Sequence, residues 1–303
     1  MHPKPPGSPG LPPLRLTHPR RTLGTREFDF DRQIAVMAIV NRTPDSFFDR
    51  GATFALDRAV DAAVAAAETG ADWVDIGGAK FAPGPEIPAA EELARVLPVV
   101  EAVAGRSDVV ISVDTFRASV AEACIAAGAH VVNDTTGLSD PAMAHVVAST
   151  GASLVITHSL AAPRRPYPNP RYGDVATEIR QRLEVGVEAA VSAGIGEDRL
   201  YIDPGHDLNK TTRQSLELTR RMAEITAIGI PALAAVSNKD FVGESLGAEK
   251  PDRLEGSLAA ATVCVMLGAR IVRMHDVRAS VASMRMLEAI LGFRDPVYEE
   301  HNV

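Results

Sequence analysis

The sequence predicts a single (β/α)8 barrel, on three observations. Short, β-rich apolar runs alternate strictly with longer Ala-rich stretches of helical character from about residue 35 to the end. The first of them, residues 34–40, is a continuous apolar run, the pattern of a parallel strand buried on both faces. Strand after strand empties into Asn, Asp, His, Lys or Arg, and α/β folds keep their ligands at the carboxyl ends of their strands. An open doubly wound sheet competes, but no G-x-G-x-x-G follows the first strand.

The first strand covers residues 35–40 and runs into Asn41, Arg42, Thr43, Pro44, Asp45 and Ser46. Pro44 forbids a regular strand there and pushes Thr43 towards extended geometry. A helix over 56–69 follows and Gly70 stops it. The second strand, 73–76, leads into Gly77, Gly78 and a Pro-rich loop before a helix over 89–103. Residues 109–113 feed Asp114 and a helix over 117–127; residues 131–132 feed Asn133, Asp134 and a helix over 141–149. The fifth strand, 153–156, feeds Thr157, His158 and Ser159, then a loop over 160–172 rich in Pro and Arg, then a helix over 174–193. Residues 200–202 feed Asp203, Pro204 and Gly205 before a helix over 212–227. Residues 232–236 feed Ser237, Asn238 and Lys239 before a helix over 252–267. Residues 271–272 feed Arg273, Met274, His275 and Asp276, and a helix over 277–291 closes the set. Eight strands with helical crossovers over about 250 residues make one barrel, assigned to 26–293, with no second domain. Residues 1–25 are expected to be a disordered Pro/Gly-rich tail and 294–303 a C-terminal tail.

The 303 residues are 46% hydrophobic and 23% charged, as in a soluble globular protein. With 31 Lys and Arg against 39 Asp and Glu, the net charge is −8, which disfavours general nucleic-acid binding. Any phosphate must therefore be gripped locally. Cys124 and Cys264 sit in apolar helical stretches without a C-x-x-C partner, so they are expected to be buried thiols of a cytoplasmic protein. No apolar run approaches the ~20 residues of a membrane span, and no signal-type segment opens the chain.

The strand ends together hold Asn41, Asp75, Asp114, Asn133, His158, Asp203, Lys239, Arg273 and His275, which a barrel brings to one rim. Inward carboxylates and amides suit a flat heterocycle with several N–H donors. Arg and His beside Asn suit a phosphate or diphosphate. Taken singly, each has a plainer role: Asp75 in an Asx turn, Asp114 and Asp203 as helix caps, the histidines as satisfied rim residues. Capping alone does not explain their recurrence at nearly every strand end.

At these residues the chain resembles the dihydropteroate synthase family of pterin-binding enzymes, from about Ala35 to Leu291. The resemblance rests on the motifs Asn41-Arg-Thr-Pro-Asp-Ser-Phe47, Asp75-Ile-Gly-Gly78, Ser112-Val-Asp-Thr115, Asn133-Asp134, Asp203-Pro-Gly205, Ser237-x-Lys239 and Arg273-x-His-Asp276. It implies a barrel that joins hydroxymethyl-dihydropterin diphosphate to p-aminobenzoate, as a homodimer built on the last helices. It further implies that Asp114, Asn133, Asp203 and Lys239 hold the pterin ring, and that Asn41, Arg273 and His275 hold the diphosphate. Mg2+ would sit at Asn41, and Asn41, Asp45, Lys239 and Arg273 would carry catalysis. Chemistry of this kind is largely electrostatic: the leaving diphosphate is stabilised while the cationic pterin is held dry.

The chain departs from the family where that chemistry is expected. After Asp-Ile-Gly-Gly the enzymes carry Glu-Ser-Thr-Arg-Pro-Gly; here Ala79, Lys80, Phe81, Ala82, Pro83 and Gly84 follow. Ala82 replaces the arginine of the diphosphate grip and Phe81 its threonine. Losing a charged partner of this kind costs about 2–5 kcal/mol. Lys80 offers charge two positions away, without the bidentate fork. His206 and Asp207 replace an aromatic residue and a glycine in the pterin loop, Ser159 ends a Met-His-Met platform now reading Thr157-His158-Ser159, and Asn238 replaces Arg on the p-aminobenzoate side. This set resembles a divergent second synthase-like group of actinobacteria regarded as lacking synthase activity. The first reading is therefore a pterin or pterin-diphosphate pocket with weak or lost synthase activity and a binding, regulatory or altered-substrate role. The alternatives are a working synthase using Lys80, and a pterin-dependent methyltransferase-type enzyme.

Overall fold

The computed structural model describes residues 15–41, 51–79 and 81–301, with the side chains of 51–55 excepted. Asp45 and Lys80 lie outside the described residues. The chain first forms a hairpin, β1 (Arg20–Leu23) and β2 (Arg26–Asp29), paired antiparallel. Regular alternation follows: β3 (Ala35–Asn41), α1 (Gly51–Glu68), β4 (Trp73–Gly77), α2 (Ala89–Ala104), β5 (Val110–Asp114), α3 (Ala118–Ala126), β6 (Val131–Asp134) and α4 (Met143–Thr150). It continues with β7 (Ser153–Thr157), α5 (Val175–Ser192), β8 (Leu200–Asp203), α6 (Thr212–Arg220), α7 (Met222–Thr226), β9 (Leu233–Ala234), α8 (Asp240–Leu246), α9 (Leu254–Met266), β10 (Ile271–Met274) and α10 (Val277–Ile290).

The strands from β3 to β10 form one parallel eight-stranded sheet in the order β8-β7-β6-β5-β4-β3-β10-β9. A parallel bridge between Ile202 and Ala232 brings its two ends together, so the sheet closes as the sequence predicts. Strand alternation then sorts every side chain to the lumen or to the helices. Val36, Val74, Ile111, Val132 and Ile156 face the helical shell and build the larger core with it. Trp73, Val110, Val131, Val155, Tyr201 and Ile271 belong to a second core, inside the barrel. Two residues further along the same strands lie Asp75, Ser112, Asn133, Thr157, Asp203 and Arg273, which therefore face the same lumen one layer higher.

The amino-terminal mouth is where expectation and structure differ. Regular structure begins at Arg20, not after residue 25, and residues 1–14 lie outside the described residues. Leu23 and Phe28 of the hairpin, with Phe30 just after it, join Trp73 and Tyr201 in the inner core. Phe28 and Phe30 stack at 5.6 Å, and Trp73 meets Tyr201 edge-on at 5.1 Å. Arg21 donates to the Leu200 carbonyl at 2.5 Å and covers the Tyr201 ring. The segment packs because its apolar residues plug an open barrel end, a long-range reward that local Pro and Gly content hides.

Three further elements differ. The helix expected over 212–227 breaks at Arg221, whose guanidinium is held by Glu217, Glu224 and Asp174. The expected strand 232–236 is regular only over Leu233–Ala234. A short helix, α8, precedes the expected one and ends at Gly247, in the left-handed region at φ 64°.

Candidate functional site

The lumen layer above the inner core is a closed network centred on Asp75. This fully buried carboxylate accepts hydrogen bonds from Ser112 Oγ (2.6 Å), Asn133 Nδ2 (3.0 Å) and Arg273 Nε (2.6 Å). The Arg273 fork reaches Asp114 as well, through Nη2 at 3.0 Å. Sheet register makes this possible: Asp75 lies opposite Ser112, and Asp114 opposite Asn133. Burial, with Asp75 close by, pushes the Asp114 carboxyl up to about 7 despite Arg273. Arg273 keeps its charge: burial opposes it, but Asp75 and Asp114 raise its pKa on balance. Within this layer two buried acceptors stay unpartnered among the described residues, Asn133 Oδ1 and Thr157 Oγ1. Unsatisfied buried polar atoms on a shared lumen face are what a polar ligand edge would pair with.

Beside this layer opens a cavity of about 480 Å3, lined by Lys239, Arg273, His275, Ser237, Asn238 and Asp207 among others. Of the residues expected at the pterin, only Lys239 lines it; Asp114, Asn133 and Asp203 sit in the packed layer below. Asp203 is buried, accepts from Gly205 N at 2.7 Å, and is raised in pKa by that burial. Lys239 is lowered by burial, partly offset by Asp207, and among the described residues its ammonium makes no hydrogen bond or ion pair. His275 shares a 3.0 Å hydrogen bond with Ser237 Oγ; burial and the Arg273 charge lower its pKa to about 4, so the ring is neutral at pH 7. Asn41 ends β3 with its Oδ1 against Gly77, next to Asp114. Of the diphosphate residues expected from the sequence, Arg273 and His275 line the opening, with Arg273 joining it to the acidic layer, whereas Asn41 lies beside Gly77 and Asp114 and does not line it.

The altered positions divide into cavity walls and supports. Phe81 and Ala82 line the cavity, so apolar atoms occupy the wall where the family carries its grip. Asp207, at φ 63°, accepts from Ser215 Oγ at 3.0 Å and from Phe241 N at 3.2 Å. It therefore caps α8 from a neighbouring loop, a position whose own residue, Lys239, provides no cap. His206 leaves the cavity altogether: it is buried, stacked on Phe241 at 5.9 Å, and burial lowers its pKa to about 3. Asn238 takes φ 55° and donates its N–H to Ser257 Oγ at 3.0 Å. Ser159 donates to the Ala161 carbonyl at 3.3 Å and faces a separate, smaller hollow. His158 is buried, with Nδ1 3.1 Å from Lys210 Nζ, and burial lowers its pKa to about 2.

Sequence reasoning passed over several cavity residues. Lys210 lines the wall while its ammonium donates to the Gly205 (2.8 Å) and Leu208 (3.0 Å) carbonyls, and burial lowers its pKa to about 7. Arg165, Tyr167 and Lys250 also reach the cavity. The available signal was the Arg-rich composition of the 160–172 loop, but nothing local says that this loop crosses the mouth.

A parallel eight-stranded barrel with an amide, acid and arginine network under a cationic opening defines a barrel that takes a polar, anionic ligand at the carboxyl ends of its strands. The chain belongs to the pterin binding enzyme family, whose model matches residues 37–275. It is 44% identical over 282 residues to the inactive dihydropteroate synthase 2 of Mycobacterium tuberculosis H37Rv, covering 91% of this chain and 88% of that one. It is 38% identical over 261 residues to the dihydropteroate synthase of Escherichia coli K12, covering 86% and 93%. The structure of Xanthomonas albilineans dihydropteroate synthase with 4-aminobenzoic acid superposes with a TM-score of 0.84 at 38% identity, over 90% of this chain and 98% of that one. The chain is thus a dihydropteroate-synthase-fold protein.

Proposed function

We propose that the cavity binds a pterin or pterin diphosphate and that synthase activity is weak or lost, leaving a binding, regulatory or altered-substrate role. One observation carries this reading. The lumen set of Asp75, Asp114 and Asn133, tied to the opening through Arg273, is intact, whereas the wall that should grip the leaving diphosphate is Phe81 and Ala82. Recognition of a flat N–H-rich ring needs the first set; charge build-up on a leaving group needs the second. Removing one preorganised electrostatic contact of this kind costs ~10²–10³ in rate. The relatives named inactive dihydropteroate synthase 2 support the same reading.

In this reading Asp114, Asn133, Asp203 and Lys239 hold the ring, and Asn41, Arg273 and His275 the diphosphate. Among the described residues no three His, Cys, Asp or Glu side chains cluster to hold a metal. Mg2+ keeps several waters and is held by substrate phosphates with one or two protein ligands, usually carboxylates, so the Asn41 amide oxygen would supply one ligand and the diphosphate the charge. Mg2+ held at Asn41 would neutralise charge on the diphosphate. The p-aminobenzoate side would be Ser237, Asn238 and Lys239. Exposed Leu246, Val263, Met286 and Ile290 on α8, α9 and α10 support a homodimer built on the last helices. No helix among the described residues is long and apolar enough to cross a membrane, and Cys124 and Cys264 are free and buried; both agree with a cytoplasmic protein.

Titration calorimetry with hydroxymethyl-dihydropterin diphosphate, with and without Mg2+ and p-aminobenzoate, tests the reading. Saturable binding that Asp114→Ala weakens is the expected result. Absence of binding under all four conditions would refute it.

A further inference from the structure

Two long loops meet over the cavity, residues 81–88 after β4 and 160–172 after β7. Arg164 N donates to the Phe81 carbonyl at 3.0 Å, and Gly84 N donates back to the Arg164 carbonyl at 3.1 Å. The Arg164 guanidinium adds bonds to the Ala82 carbonyl at 2.7 Å and the Pro85 carbonyl at 3.1 Å. Arg164 takes φ 67°, a left-handed turn that sends the chain over the mouth. The next residue, Arg165, is thereby fixed beside Phe81 and Ala82, and it lines the cavity. Its guanidinium rests on Glu86 at 2.5 Å, with the two side chains 65% and 69% exposed. An ion pair that exposed stabilises little and exchanges readily for a better-placed anion.

The charges around the opening point the same way. Arg165, Lys210, Lys239, Lys250 and Arg273 line it, against Asp207 and Asp240. Both acids are occupied: Asp207 caps α8 and bonds Ser215, and Asp240 meets Arg253 Nη1 at 3.1 Å. We propose that Arg165 is an anion-gripping residue of this cavity, supplying from the 160–172 loop the guanidinium that position 82 lacks. The ligand group it takes is a diphosphate, held between Arg165 and Arg273. Glu86 is its resting partner and competes with the ligand. A guanidinium that must leave Glu86 binds the diphosphate more weakly than one without a competing partner, and it is not preorganised for the charge that grows on a leaving group. This inference rests on the pterin-diphosphate reading above.

Calorimetry with inorganic diphosphate and, separately, with phosphate-free hydroxymethylpterin tests it on wild type, Arg165→Ala and Glu86→Gln. Arg165→Ala is expected to weaken diphosphate about tenfold, the loss of one charge-assisted contact at a half-open site. Glu86→Gln is expected to tighten it severalfold, because the competing carboxylate is gone. Neither change should move hydroxymethylpterin affinity. Introducing Ala82→Arg into Arg165→Ala should restore diphosphate binding. Diphosphate affinity within twofold of wild type in Arg165→Ala, or weaker in Glu86→Gln, would overturn the assignment while leaving the pterin reading intact. Pterin binding by wild type without any diphosphate binding would overturn it as well. Binding of neither probe would overturn both.

Discussion

Asp207 offers a prediction in which two effects of similar size oppose each other. The residue holds φ 63°, and its carboxylate caps α8 through Phe241 N at 3.2 Å while bonding Ser215 Oγ at 3.0 Å. Asp207→Ala removes the cap, worth about 1–2 kcal/mol, and keeps a side chain in left-handed geometry. Asp207→Gly removes the same cap but relieves roughly 1 kcal/mol of backbone strain. The glycine variant should therefore lie within about 1 kcal/mol of wild type, and the alanine variant should be less stable than it by ~1 kcal/mol, or about 2–4 °C in Tm. Thermal unfolding by circular dichroism reads the difference. Either variant also removes a negative charge beside Lys239, so anion affinity should rise severalfold in both, by calorimetry with inorganic diphosphate. An alanine variant as stable as the glycine variant would refute the strain argument. Unchanged anion affinity in both would refute the place given to Asp207 in the charge balance of the cavity.

Asp75→Ala leaves Arg273 only Asp114 and strands Ser112 and Asn133, a loss of about 3–5 kcal/mol and on the order of 10 °C in Tm; a shift below ~3 °C would mean the network is not the structural centre of the lumen. Asp114 titrates near 7, raised by burial and Asp75, so its carboxylate is available to ring N–H groups above that pH and is protonated below it. Pterin affinity should accordingly rise between pH 6 and 8 in wild type and stay flat in Asp114→Asn, as calorimetry across that range would show. Phe81→Thr with Ala82→Arg should raise diphosphate affinity about tenfold, since Arg273 and His275 remain, while turnover stays low as long as Asp207 occupies its position. Affinity unchanged in the double variant would place the diphosphate elsewhere.

Much of this architecture was legible because a barrel turns a one-dimensional pattern into a ring. Each apolar run marks a strand, and the polar residue at its carboxyl end must reach the rim, so Asn41, Asp75, Asp114, Asn133, Asp203, Lys239 and Arg273 could be read from strand ends alone. Depth could not. Whether Asp114 faces open space or closes upon Arg273 depends on pairing across 159 residues, which no local pattern encodes. The hairpin at Arg20–Asp29 was hidden for the same reason: Leu23 and Phe28 gain their burial from Trp73 and Tyr201. Arg165 was missed because its position is set by backbone bonds between two loops. Arg221 breaks a helix with neither Gly nor Pro, tied by acids on three sides.

The most direct measurement is steady-state formation of dihydropteroate from hydroxymethyl-dihydropterin diphosphate and p-aminobenzoate with Mg2+, beside the Escherichia coli synthase under the same conditions. With Phe81 and Ala82 in place of two polar contacts to the leaving group, wild-type turnover should fall at least ~10²-fold below that reference. Turnover within tenfold of it would contradict the account and establish a working synthase.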